Sequence, residues 1–192
     1  MLNKNKMLFL TILFAVIAGS IIWKIAIENS RNDDVAIPAS SNIDYSIQIP
    51  IPYSLDKIIN EFEKIDNQPI LLYLYTTWCQ VCNKNFSILN EIAQEFQNTE
   101  LKIIAIAIDR NLDANNFNSY IKNIAPVYFQ PIMLEKRNGF NEFLKQKKVN
   151  YTNRIPYTVL FKKDGAVALK YSGLKSKKYL RRNIIAELYP KK

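Results

Sequence analysis

A short apolar run, Ile70 to Tyr75, leads through Thr76-Thr77-Trp78 into Cys79-Gln80-Val81-Cys82, and this junction constrains the chain more than any other feature. Six apolar and aromatic residues in a row read as a buried strand. Behind the cysteines, Phe86, Leu89, Ile92, Ala93 and Phe96 recur at the spacing of a helix with one apolar face. The cysteines are therefore expected to open a helix directly after a strand. The first turn of a helix presents unpaired N–H groups and the positive end of the dipole. A thiolate there is stabilised, so its pKa falls and it attacks disulfides. Cys79 is the candidate nucleophile, and Cys82, one turn on, the buried resolving thiol. Trp78 is expected to cover the pair and to offer an apolar docking surface. Gln80 and Val81 lie between the two sulfurs and bring no charge to them.

Other uses of the pair fit less well. These are the only 2 cysteines and there is no histidine, so a zinc site would need carboxylates or a second chain to complete it. No metal and no cofactor are expected. A purely structural disulfide would close a loop too short to constrain the chain usefully. A peroxide-reducing site wants Thr three residues before its cysteine, which Thr76 supplies, and Pro four residues before that Thr, where this chain has Leu72.

The rest of the sequence frames this junction. Ser54 reads as a helix cap before Leu55, Ile58, Ile59, Phe62 and Ile65, and Asn67-Gln68-Pro69 ends that helix. Leu101 to Ile108 is a second buried strand. Asp113 begins a weaker helix through Phe117, Tyr120, Ile121 and Ile124; a strand over Tyr128 to Leu134 and a short helix over Phe140 to Gln146 follow. Tyr157 to Phe161 and Ala166 to Tyr171, joined by Lys163-Asp164-Gly165, predict a β-hairpin. Lys175 to Leu188 closes as a helix. Alternation of this kind predicts an α/β fold: a central mixed sheet, largely parallel, with helices on both faces and an antiparallel edge.

Before the domain, Met7 to Trp23 is uncharged and apolar, with Lys4 and Lys6 ahead of it and Lys24 behind. About 20 such residues span a bilayer, and Trp23 suits its interface. No clear A-x-A cleavage site is present, so residues 1–30 are expected to be an uncleaved signal anchor, with a secretory signal cut after Ala18 as the alternative. Residues 31–52, polar and punctuated by proline, read as a linker with a short strand around Ser46 to Ile49; residues 53–192 form the domain. Lys4 and Lys6 on the near side place the domain outside the cytoplasmic membrane, in a periplasmic or equivalent space. The chain's charge of +9 is spread in short groups such as Lys145, Lys147 and Lys148. That pattern reads as solvated surface, and export argues against nucleic acid as a partner.

Taken together, YLYTTWCQVC, the strand LKIIAIAIDR and the block RIPYTVLFKKDG followed by ALKYSG resemble the thioredoxin superfamily, and within it the membrane-anchored TlpA/ResA-like branch. The resemblance covers roughly Ser54 to Tyr189. It implies a thioredoxin-like fold and a thiol–disulfide oxidoreductase. It further implies that Pro156 follows a cis peptide bond and faces the active-site disulfide, with Ile155 offering its backbone to an extended substrate. The implied partners are exported proteins with thiols or disulfides, membrane lipid around the anchor and a membrane electron-donor protein. The sequence departs from relatives at the strand before the motif. Thioredoxins hold a buried Asp there, beneath the resolving cysteine, and this chain has Tyr73. With no charged residue between the cysteines, the pair is expected to reduce exported disulfides, as cytochrome c maturation factors do. A disulfide-forming oxidase or isomerase, or a binding module that does not turn over, are the alternatives.

Overall fold

The computed structural model describes residues 52–64, 67–124 and 127–190. The anchor, most of the linker and the strand expected over Ser46 to Ile49 lie outside the described residues. Among the described residues, no helix is long and apolar enough to cross a membrane.

Strand β1 (Pro52–Tyr53) is followed by α1 (Leu55–Lys64), β2 (Ile70–Tyr75), α2 (Gln80–Phe96), β3 (Lys102–Ala107) and α3 (Ala114–Ile124). Then come β4 (Gln130–Leu134), α4 (Phe140–Gln146), the hairpin β5 (Tyr157–Phe161) and β6 (Val167–Ser172), and α5 (Lys177–Leu188). The 6 strands form one sheet in the order β1-β4-β3-β2-β5-β6. β1 to β4 run parallel, and β5 and β6 are antiparallel. This is the mixed sheet the sequence predicts, with β1 beginning at Pro52 where the linker was expected to end.

Hydrophobicity explains the positions. All six residues of β2 are buried, as a central strand covered on both faces requires. One face carries Leu72, Leu74, Ile104 and Ile106, packed against Ile58 and Phe62 of α1 and Phe143 of α4. On the other face, Tyr73 and Tyr75 meet Phe86 of α2, and Tyr75 stacks at 6.0 Å on Tyr120 of α3. α5 joins this second face through Lys177 to Glu91 at 3.1 Å and Arg181 to Glu95, both glutamates lying on α2.

The C-terminal ends of the parallel strands and the start of β5 share one end of the sheet. Leu74 pairs with Tyr157, so Pro156 stands level with Tyr75. The Gly173 N–H donates to the Pro156 carbonyl at 2.8 Å, which brings the end of β6 to the same place.

Candidate functional site

Cys79 and Cys82 form a disulfide across a Cα–Cα distance of 5.1 Å. Cys79 is the N-cap of α2, in extended conformation, and its Sγ accepts the Cys82 N–H at 3.1 Å. That bond is weak to a neutral sulfur and strong to a thiolate, so reduction sharpens it. Its carbonyl accepts the Asn83 N–H at 3.1 Å, the first bond of the helix. Cys82 is wholly buried, whereas Cys79 retains 8% of its surface. The two cysteines thus differ in access, Cys79 being the more exposed.

The turn ahead of the cysteines is held from β3. Asp109 accepts the Thr77 N–H through both oxygens, at 3.1 and 3.2 Å, and the Thr77 Oγ1 hydroxyl at 2.8 Å. The Cys79 N–H donates to the Thr76 carbonyl at 3.2 Å. A carboxylate two residues past the end of β3 therefore fixes the loop that presents Cys79. The sequence reading passed over Asp109; its signal was an acid ending a buried strand opposite a Thr-Thr pair.

Beneath the disulfide, the Tyr73 hydroxyl donates to the Cys82 carbonyl at 3.1 Å. Burial pushes the Tyr73 pKa up, a side-chain hydrogen bond from Asn85 opposing it, so the phenol stays protonated. The position where thioredoxins hold a proton acceptor is here a committed donor. Asn85, buried one turn into α2, was also missed, because an Asn in an amphipathic helix reads as surface. On the outer side of the same turn, the Tyr120 hydroxyl donates to Asn83 Oδ1 at 2.7 Å and ties α3 to the start of α2.

The remaining residues singled out from the sequence gather at this end of the sheet. The Ile155–Pro156 peptide bond is cis. Pro156 is buried, and Ile155 is partly buried against the core. Gln80 is exposed. Trp78 is 73% exposed. Among the described residues the large exposed apolar side chains are Trp78, Val81, Leu174 and Tyr189, and the first three stand around the disulfide and the Pro156 loop.

The chemistry open to such a pair is thiol–disulfide exchange: one sulfur with access and a capped helix start, a second within reach and dry. The thioredoxin-like family model matches residues 67–167, just over half of the chain. The chain belongs to the thioredoxin-like family, and with its redox pair in place it is a thiol–disulfide oxidoreductase. Solved structures similar to it include the thiol:disulfide interchange protein DsbE from Chlorobium tepidum, 16% identical with a TM-score of 0.55, over 66% of this chain and 84% of that one. A thiol:disulfide interchange protein of the thioredoxin family from Chlorobium tepidum TLS is 18% identical, TM-score 0.54, over 66% and 83%. A thioredoxin from Neisseria meningitidis is 17% identical, TM-score 0.51, over 65% and 77%. At these identities the likeness establishes the fold. No curated protein matches the sequence.

Proposed function

We propose that the protein is a membrane-anchored reductant of exported proteins, held by residues 1–30 with its domain in the periplasmic or equivalent space. The observation that carries the redox assignment is the Cys79 sulfur capping α2 at 3.1 Å from the Cys82 N–H. In the reduced protein the Cys79 thiolate attacks a substrate disulfide, forms a mixed disulfide and expels one substrate thiolate. Cys82 then gives up its proton, for which the expelled substrate thiolate is the acceptor since Tyr73 is none, and attacks the Cys79 sulfur. The second substrate thiolate leaves, and two electrons have passed from the dithiol to the substrate. A membrane dithiol donor returns them by the same exchange in reverse. Trp78 and Val81 give an apolar seat for the substrate, and Ile155 beside Pro156 offers backbone to an extended segment.

The direction rests on Gln80 and Val81. Strong oxidants need a thiolate so stabilised that the reduced form is preferred, and this dipeptide adds no charge to the helix start. Two of the similar structures are described as thiol:disulfide interchange proteins, which agrees with exchange chemistry but leaves its direction open. The test is the reduction potential of the full chain in detergent, equilibrated against a thiol redox buffer. A value near the roughly −270 mV of thioredoxin supports the reductant; one near the roughly −120 mV of DsbA makes the protein an oxidant.

A further inference from the structure

The strand that ends beside Pro156 carries a second feature. Tyr171 on β6 and Tyr179 on α5 meet edge to face at 6.0 Å. The Lys175 ammonium lies over both, 6.0 Å from the Tyr171 ring centre and 5.6 Å from that of Tyr179. The Arg182 guanidinium lies 5.8 Å from the Tyr179 ring. All three distances are within cation–π range, so two long cationic side chains are held over one aromatic platform.

Their charge is not spent inside the protein. On the same helix Lys177 is neutralised by Glu91 and Glu95, and Arg181 by Glu95. Among the described residues no carboxylate pairs with Lys175, Lys178 or Arg182. All three are exposed, as is Arg154 directly before Ile155. Gly173 is bonded to Pro156, and Lys175, two residues on, therefore lies within about 7 Å of that glycine, the reach of extended chain.

We propose that this protein selects substrate polypeptides carrying acidic residues beside the reacting cysteine, and that Lys175 and Arg182 on the Tyr171–Tyr179 platform receive those carboxylates. The proposal rests on the exchange reading of Cys79 and adds its substrate class. A polypeptide seated at Pro156 reaches the platform within two or three residues. Preorganised cations there accelerate encounter with an acidic segment and leave a neutral one unaffected.

The experiment uses the full chain, reduced, with two peptide disulfides alike except for Glu or Gln at the positions flanking the cysteine. Hydroxyethyl disulfide, small and uncharged, is the control. At about 0.01 M salt, where screening reaches about 30 Å, the second-order rate constant for oxidation of the dithiol by the Glu peptide is expected to exceed that for the Gln peptide about tenfold. The preference collapses towards unity at about 1 M salt, and also in the double variant Lys175→Gln/Arg182→Gln at low salt. Equal rates for the two peptides overturn the proposal, and so does a preference that survives the double variant, which would assign it to other cations. Exchange with hydroxyethyl disulfide alone, and with neither peptide, overturns it too while leaving the exchange reading standing. If hydroxyethyl disulfide itself is not exchanged, the exchange reading fails and takes the proposal with it.

Discussion

Cys79 differs from Cys82 in two physical respects, access and the bond its sulfur accepts, and under the proposed function both decide which thiol attacks. With Cys82→Ser the first step proceeds and the second has no thiol, so a mixed disulfide with substrate accumulates; Cys79→Ser gives none. Non-reducing electrophoresis after incubation with a disulfide substrate distinguishes them, and trapping by Cys79→Ser instead would reverse the assignment. Asp109→Ala removes both acceptors of Thr77, leaving a part-buried N–H and hydroxyl without partners. That is expected to cost about 1–3 kcal/mol, read as a lowered denaturation midpoint, and to loosen the turn that aims Cys79. The motif and the Pro156 block were legible in the sequence because each is a run of adjacent residues. Asp109 was not, because its partner Thr77 lies 32 residues away and only the register of β2 against β3 brings the two together; Tyr73 was legible as a departure, but not its bond to the Cys82 carbonyl.

At the scale of elements, the readable ones are those whose burial is one-sided or total. α2 shows its apolar stripe, and β2 and β3 show unbroken apolar runs. The sheet order was harder to read: nothing in QPIML says that this strand lies between β1 and β3, and a β1 of two residues has no pattern at all. The α4 boundary follows from a glycine. Gly139 caps that helix at φ +78°, and a Cβ added there would meet Leu55 Cδ2 at 2.9 Å. Gly139→Ala must therefore strain the left-handed backbone and displace a side chain of α1. A loss of about 1–2 kcal/mol in chemical denaturation is expected, with the reduction potential unchanged because α4 packs on the face opposite α2. A shifted potential would mean that the two faces are coupled through the sheet.

For the whole molecule, the face beneath the disulfide holds two buried phenols, and this ties stability to pH in the alkaline range. Tyr73 and Tyr75 are fully buried, and burial raises both pKa values above the ordinary tyrosine range. In the unfolded chain each ionises near pH 10. Below that value both states hold the proton and the two groups make no difference to stability. Above it the unfolded state releases protons that the folded state keeps, so stability falls as pH rises, by about 1.4 kcal/mol per pH unit for each such tyrosine. The chain has 11 tyrosines, but those that titrate alike in both states cancel from this slope. Tyr73→Phe removes one buried ionisation and loses the bond to the Cys82 carbonyl. It is therefore expected to be about 1 kcal/mol less stable than the parent at pH 8 and to decline less steeply above pH 10. Urea midpoints at a series of pH values between 8 and 11 test both halves, and the lysines common to parent and variant drop out of the comparison. Parallel curves would mean that Tyr73 ionises in the folded protein as readily as in the unfolded one, and that the phenol beneath Cys82 is available as a proton acceptor after all.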